Sequence, residues 1–148
     1  MAFSLMLLGA AGGGVAQAYW LSTMDNGPSY VSMEAAATDS SDNLYTFGWT
    51  NASGVQYAEF FLVKHDSAGT VQWQRTLGGT YSDRGTALAL DSIGDAYIYG
   101  DTQDAGALLA KYDSAGTIQW QRTLGETGDA ARGWAVIATD NLYALDVL

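Results

Sequence analysis

The residues able to do chemistry are few, and most of them come in duplicate. All six Lys and Arg residues form repeat-equivalent pairs: Lys64 with Lys111, Arg75 with Arg122, and Arg84 with Arg132. A catalytic centre is a single constellation of groups held in one geometry. Cations copied along the chain instead point to parts of a repeating scaffold, and partners such as Asp66 and Asp113 are expected for them. His65 is the only histidine, and its repeat-equivalent is Tyr112, which cannot replace it as a base or a ligand. With no cysteine in the chain, thiolate chemistry and disulfides are excluded, and a lone histidine cannot build a His-rich metal site.

The carboxylates are more numerous. Asp39, Asp42 and Asn43 crowd one short segment, and Asp91 and Asp95 crowd another. Oxygen clusters of this kind suit calcium, but the alternating Asp spacing with a distal Glu is missing, so these segments read as turns. No pair among the sixteen acids stands out as the two carboxylates of a glycoside hydrolase. Gly-x-Ser-x-Gly, His-Glu-x-x-His and phosphate-loop motifs are absent; Gly12-Gly13-Gly14 lacks the Lys that a phosphate loop needs. The expectation is therefore a protein that is not an enzyme, with no cofactor and no metal.

The elements that position these residues follow from an internal repeat. FLVKHDSAGTVQWQRTLG at 61–78 answers LLAKYDSAGTIQWQRTLG at 108–125, an offset of 47 residues. Upstream, Asp39-Ser40, Asn43-Leu44-Tyr45 and Gly48 answer Asp91-Ser92, Asp95-Ala96-Tyr97 and Gly100 at an offset of 52. Asn141-Leu142-Tyr143 is a third copy. The motif Trp-x-x-Thr-(Leu/Met) begins at Trp20, Trp73 and Trp120, giving spacings of 53 and 47.

Each unit reads as four short strands. The first covers 35–38, 86–90 or 134–138; the second covers 44–47, 96–99 or 142–145. The third covers 60–64 or 108–111. The fourth covers 73–76 or 120–123, with a cousin at 20–23. Turn residues separate them. In Asp66-Ser67-Ala68-Gly69 and Asp113-Ser114-Ala115-Gly116, the Asp can accept from backbone two residues on and the Gly can take positive φ, so each predicts a hairpin turn. Trp20, Trp73 and Trp120 are the expected repeat core, packed between neighbouring units. A sugar-binding aromatic platform is the alternative for Trp73 and Trp120. Trp49, which follows Gly48 at a strand end, is the expected exposed aromatic.

Asp91, Tyr97 and Gly100, then Lys111-Tyr112-Asp113 with Gly116, then Trp120, Arg122 and Leu124-Gly125, make a pattern that resembles the bacterial β-propeller repeat family. The likeness spans residues 18–148. It implies an all-β fold of tandem four-stranded antiparallel blades, about 2.75 of them. It implies nothing about chemistry, because propellers host many functions. Closure is left open, since a ring usually needs at least four blades.

Two regions follow: an apolar, Gly-rich arm at 1–18, and a β-repeat domain at 19–148 whose interrupted pattern allows continuation past Leu148. The run before Ala16-Gln17-Ala18 is similar to a secretory signal but has no Lys or Arg ahead of it, and it is too short and Gly-rich to span a bilayer. Phe3, Leu5, Leu7 and Leu8 in the arm, with Val147 and Leu148 at the last strand, are the expected assembly contacts. The start of the chain resembles the attachment ends of phage tail and fibre proteins. The net charge of −10 disfavours nucleic-acid partners. The expected function is a bacteriophage tail or fibre component, located in the virion. Its expected partners are further copies of itself, other virion proteins, and a host receptor or glycan. The alternative is a secreted or cell-surface adhesion module.

Overall fold

The computed structural model describes residues 30–51, 57–78, 81–103, 106–124, 133–138 and 142–146. Among them every regular element is a strand, and no helix is long and apolar enough to cross a membrane. Strands β1 (Tyr30–Thr38), β2 (Leu44–Asn51), β3 (Glu59–His65) and β4 (Val71–Leu77) form one antiparallel sheet in sequential order. Strands β5 (Asp83–Leu90), β6 (Ala96–Thr102), β7 (Gly106–Tyr112) and β8 (Ile118–Leu124) form a second of the same kind. Strands β9 (Gly133–Ala138) and β10 (Leu142–Asp146) make a hairpin, and β9 packs along β5 and β6. The described residues are thus all-β, forming two four-stranded units and a two-stranded hairpin.

The turns between paired strands have a common mechanism. Asp66 accepts from the Ala68 and Thr70 backbone N–H groups at 3.0 and 2.8 Å, and Asp113 accepts from Ala115 and Thr117 at the same distances. Gly69 and Gly116 take φ of +84° and +79°, a conformation in which a Cβ is strained. The expected Asx geometry is therefore present in both hairpins. Each fourth strand then carries one extra residue. Lys64 pairs with Trp73 but His65 pairs with Val71, which leaves Gln72 bulged; Gln119 is bulged in the same way. The bulges let the Gln72 and Gln119 amides reach Asp66 and Asp113 at 2.9 and 2.8 Å.

A second bulge recurs in every unit. Glu34 in β1, Thr86 in β5 and Trp134 in β9 each stand unpaired between two residues that pair with the second strand. Strand one of each unit is therefore kinked at one equivalent place, next to Gly48 in the first unit and Gly100 in the second.

Period-2 alternation gives each central strand two buried faces. Tyr45, Phe47, Phe60 and Leu62 point from the first unit to the second, where Ala96, Ile98, Leu108, Ala110 and Tyr112 receive them. Large side chains meet small ones, so the sheets approach closely. The Phe47 ring lies where a side chain on Gly85 would stand, and the Phe60 ring does the same at Gly100. Each buried Phe contributes about 1.5–3 kcal/mol. Tyr97, Tyr99, Ala107 and Leu109 occupy the opposite face of the second unit and form a second cluster with Ala87. The two clusters follow one rule: Tyr97 and Tyr99 repeat Tyr45 and Phe47, and Ala107 and Leu109 repeat Phe60 and Leu62.

Candidate functional site

Two ends of the stacked sheets differ in kind. One end carries the four Asp-rich turns, which join strands one to two and three to four. The other carries the longer connections, from strand two to three and from unit to unit.

At the turn end, the first unit is latched onto the second. Tyr45 donates its hydroxyl to the Gly94 carbonyl at 3.0 Å. The Trp73 indole N–H and the Lys64 ammonium donate to the Ser114 carbonyl at 3.1 and 3.2 Å. The Arg75 Nε–H donates to the Gly116 carbonyl at 2.6 Å. Side chains of one unit thus take up the backbone carbonyls that the tight turns of the next leave exposed, as buried polar groups require. The rings order one another. Tyr45 meets Trp73 edge-on at 5.8 Å, Lys64 lies 4.9 Å from the Tyr45 centroid, and Arg75 lies 5.4 Å from Trp73.

The pairing of the cations corrects the sequence expectation. Lys64 meets Asp39 at 3.5 Å, and Lys111 meets Asp95 at 2.9 Å and Asp91 at 3.4 Å, rather than Asp66 and Asp113. The reason is register. Lys64 sits opposite Tyr45 and Lys111 opposite Tyr97, which aims each ammonium at the neighbouring turn of its own sheet, while Asp66 and Asp113 are committed to their own turns. Burial alone would raise the Asp39 carboxyl, but hydrogen bonds from Asn43 and Ser41 and the charge of Lys64 outweigh it, so its pKa falls below the usual value. Hydrogen bonds to Tyr97 and Asp95 push the Lys111 pKa up. Desolvation raises the pKa of Tyr45 and of Tyr112.

Trp73 therefore belongs to the contact between units. Trp120, its counterpart, packs edge-on against Tyr97 at 6.1 Å with Arg122 at 5.8 Å. Phe3, Leu5, Leu7, Leu8, Trp20, Val147 and Leu148 lie outside the described residues. His65 is buried, with Nδ1 3.4 Å from the Gly69 carbonyl and Nε2 without a hydrogen bond among the described residues. Among those residues no group of three or more His, Cys, Asp or Glu side chains is placed to hold a metal ion.

The other end carries a cluster that the repeat does not explain. Trp49 donates its indole N–H to Glu34 at 3.0 Å, and the Arg84 guanidinium lies 5.9 Å from its ring. Tyr57 and Tyr81 pack ring to ring at 5.7 Å across the junction of the two units, where the Asp83 N–H donates to the Ala58 carbonyl at 2.8 Å. Trp49 is a strand-end aromatic as expected, but it is half-buried rather than exposed, because Glu34 and Arg84 lie against it. Glu34, Tyr57 and Tyr81 were not singled out, although one signal was present: they fall where the repeat breaks. A scan against protein-family models matched none, and a search of the curated proteins found no similar protein.

Proposed function

We propose that this chain is a structural scaffold and presentation module without catalytic activity, and that it works in a bacteriophage virion as a tail or tail-fibre component. The observation that carries the scaffold reading is the latch. Tyr45, Lys64, Trp73 and Arg75 all donate to backbone carbonyls of the next unit or lie against one another. The same four types recur as Tyr97, Lys111, Trp120 and Arg122. The repeated polar residues thus act in stacking units, a mechanical task that can be extended along a chain.

The virion placement rests on the sequence of the arm at 1–18, with its Phe3, Leu5, Leu7 and Leu8, and on the many-unit character of the pattern. In this reading further copies of the chain and other virion proteins are the partners, and a host receptor or glycan is the target. Propeller-like closure belongs to the same proposal: β1 lies against β5 and β5 against β9, as the inner strands of successive blades in a closed ring would. Immunogold labelling of purified particles with antibody to residues 30–124 checks the placement. Label on tails or fibres is expected; particles without label, with the chain recovered in the culture medium or on the cell surface instead, would establish the adhesion-module reading.

A further inference from the structure

We infer that the seam opposite the Asp-rich turns is a binding platform for a neutral oligosaccharide, built on Trp49, Tyr30 and the Tyr57–Tyr81 pair. The inference rests on reading the stacked units as a presentation scaffold, and it names what they present.

The repeat fails at this seam. The offset between units is 52 through the second strand and 47 from the third, so the first unit is five residues longer between its second and third strands. The extra length falls in 52–58 and brings Tyr57 to the seam. In the second unit Asp101 stands where Trp49 stands in the first, and Thr86 where Glu34 stands. Residues that stack units must recur wherever the stacking recurs. Trp49, Glu34, Tyr57 and Tyr81, whose first-unit counterpart is Ser29, do not, and three of these four are aromatic.

Their placement supports a ligand rather than a core. Ser32 pairs with Trp49 and Tyr30 with Asn51, so Tyr30 lies on the same face as Trp49, two residues along the strand. Tyr30 is 73% exposed, and Tyr81 keeps 46% exposure although it packs on Tyr57, so both rings leave open area at the seam. Trp49 is fixed in orientation: Glu34 Oε1 accepts from its indole N–H, Ser32 Oγ donates to the same oxygen at 2.6 Å, and Arg84 lies against the ring. A pre-oriented indole binds at lower entropic cost than a free one.

The chemistry selects the ligand class. Aromatic faces interleaved with a carboxylate and a guanidinium match a pyranose, which offers an apolar C–H face and a rim of hydroxyls. A protein partner would call for a contiguous apolar centre, and here ionised side chains divide the rings. The net charge of −10 and the Glu34 carboxylate at the site disfavour sialylated, sulfated and phosphorylated ligands relative to neutral ones.

The test uses the whole 148-residue chain. N-acetylchitohexaose, cellohexaose and maltohexaose are each titrated to about 10 mM, a range suited to weak millimolar affinities. Binding is read by the NMR shift of the Trp49 indole N–H, assigned from Trp49→Phe. At least one sugar is expected to shift that resonance saturably, and Trp49→Ala is expected to weaken binding at least about tenfold. Tyr30→Ser and Tyr81→Ser alter exposed rings and keep the test valid if Trp49→Ala does not fold; each is expected to weaken binding at an unchanged melting temperature. No saturable shift with any of the three sugars, or binding indifferent to all three substitutions, overturns the inference. Self-association abolished by Trp49→Ala, in place of sugar binding, overturns it in favour of a protein interface. Immunogold labelling of particles carrying Tyr81→Ser stays positive if only the sugar site is wrong, and is negative with the wild-type chain if the virion placement is wrong.

Discussion

Gly69 and Gly116 occupy the same place in two turns of identical sequence, at φ of +84° and +79°, yet their surroundings differ. A Cβ added at Gly69 meets nothing within 4 Å, whereas one added at Gly116 stands 2.6 Å from the Trp73 ring. Alanine at either position costs about 1–2 kcal/mol for the left-handed backbone. At Gly116 it also forces Trp73 away from the turn, an overpacking cost of about 1–3 kcal/mol. Unfolding entropy of about 2.1 cal/mol/K per residue makes each kcal/mol worth about 3 °C in a chain of 148 residues. Gly69→Ala is therefore expected to lower Tm by about 3–6 °C and Gly116→Ala by about 6–15 °C. Thermal melts by near-ultraviolet circular dichroism, which follows the Trp environment, read both. In a Trp73→Ala background the two alanine substitutions should cost the same, because the clash is gone. Equal shifts in the wild-type background would refute the reasoning: the turn at 113–117 would then not bear the stacking of the units.

Further outcomes follow from the same contacts. Tyr45→Phe removes the hydroxyl that reaches Gly94 and should cost about 0.5–1.5 kcal/mol, read by urea unfolding at an unchanged m-value. Asp39 titrates below its usual value when folded, so its contribution is fully present above about pH 4 and is lost as the pH falls through the folded pKa; Asp39→Asn should flatten the acid limb of a stability profile below about pH 4. Lys111 has the opposite sign: its folded pKa is raised, so its contribution is present below about pH 10.4 and lost above it. Lys111→Met should remove the alkaline part of the same profile and leave the acid limb in place.

The strands and their turns were legible because both signals are local. Alternation marks a pleated strand over a few residues, and Asp-Ser-Ala-Gly supplies its own hydrogen-bond acceptor and its own positive-φ residue. The first strands proved longer than their apolar centres: β1 begins at Tyr30 rather than Ala35, because backbone pairing with β2 continues past the bulge at Glu34. The ion pairs were not legible. Lys64 is two residues from Asp66 in sequence, but the Asp66 carboxylate is taken up by its own turn, and the partner, Asp39, is reached only across the neighbouring strand. The donors to Gly94, Ser114 and Gly116 were hidden for a similar reason: which face of a sheet meets the next unit is decided by tertiary stacking. Trp73 was legible as an inter-unit residue only because its motif recurs.

The repeat separates two kinds of residue by a physical criterion. A contact made between every pair of units must be supplied by every unit, so Tyr45 with Tyr97, Trp73 with Trp120 and Arg75 with Arg122 are bound to recur. A ligand is met once, and its site need exist once. In a chain whose first unit donates its repeated polar groups to the turns of the second, single-copy residues are where a specific function is written. Along the described residues they gather at one seam, Trp49 fixed by Glu34 and Tyr57 against Tyr81, with the repeated Arg84 beside Trp49. Restoring the repeat with Trp49→Asp, matching Asp101, should leave the latch at Ser114 and Gly116 intact, read by an unchanged near-ultraviolet signal from Trp73, while removing the platform. A collapse of that signal would show that Trp49 belongs to the stacking after all.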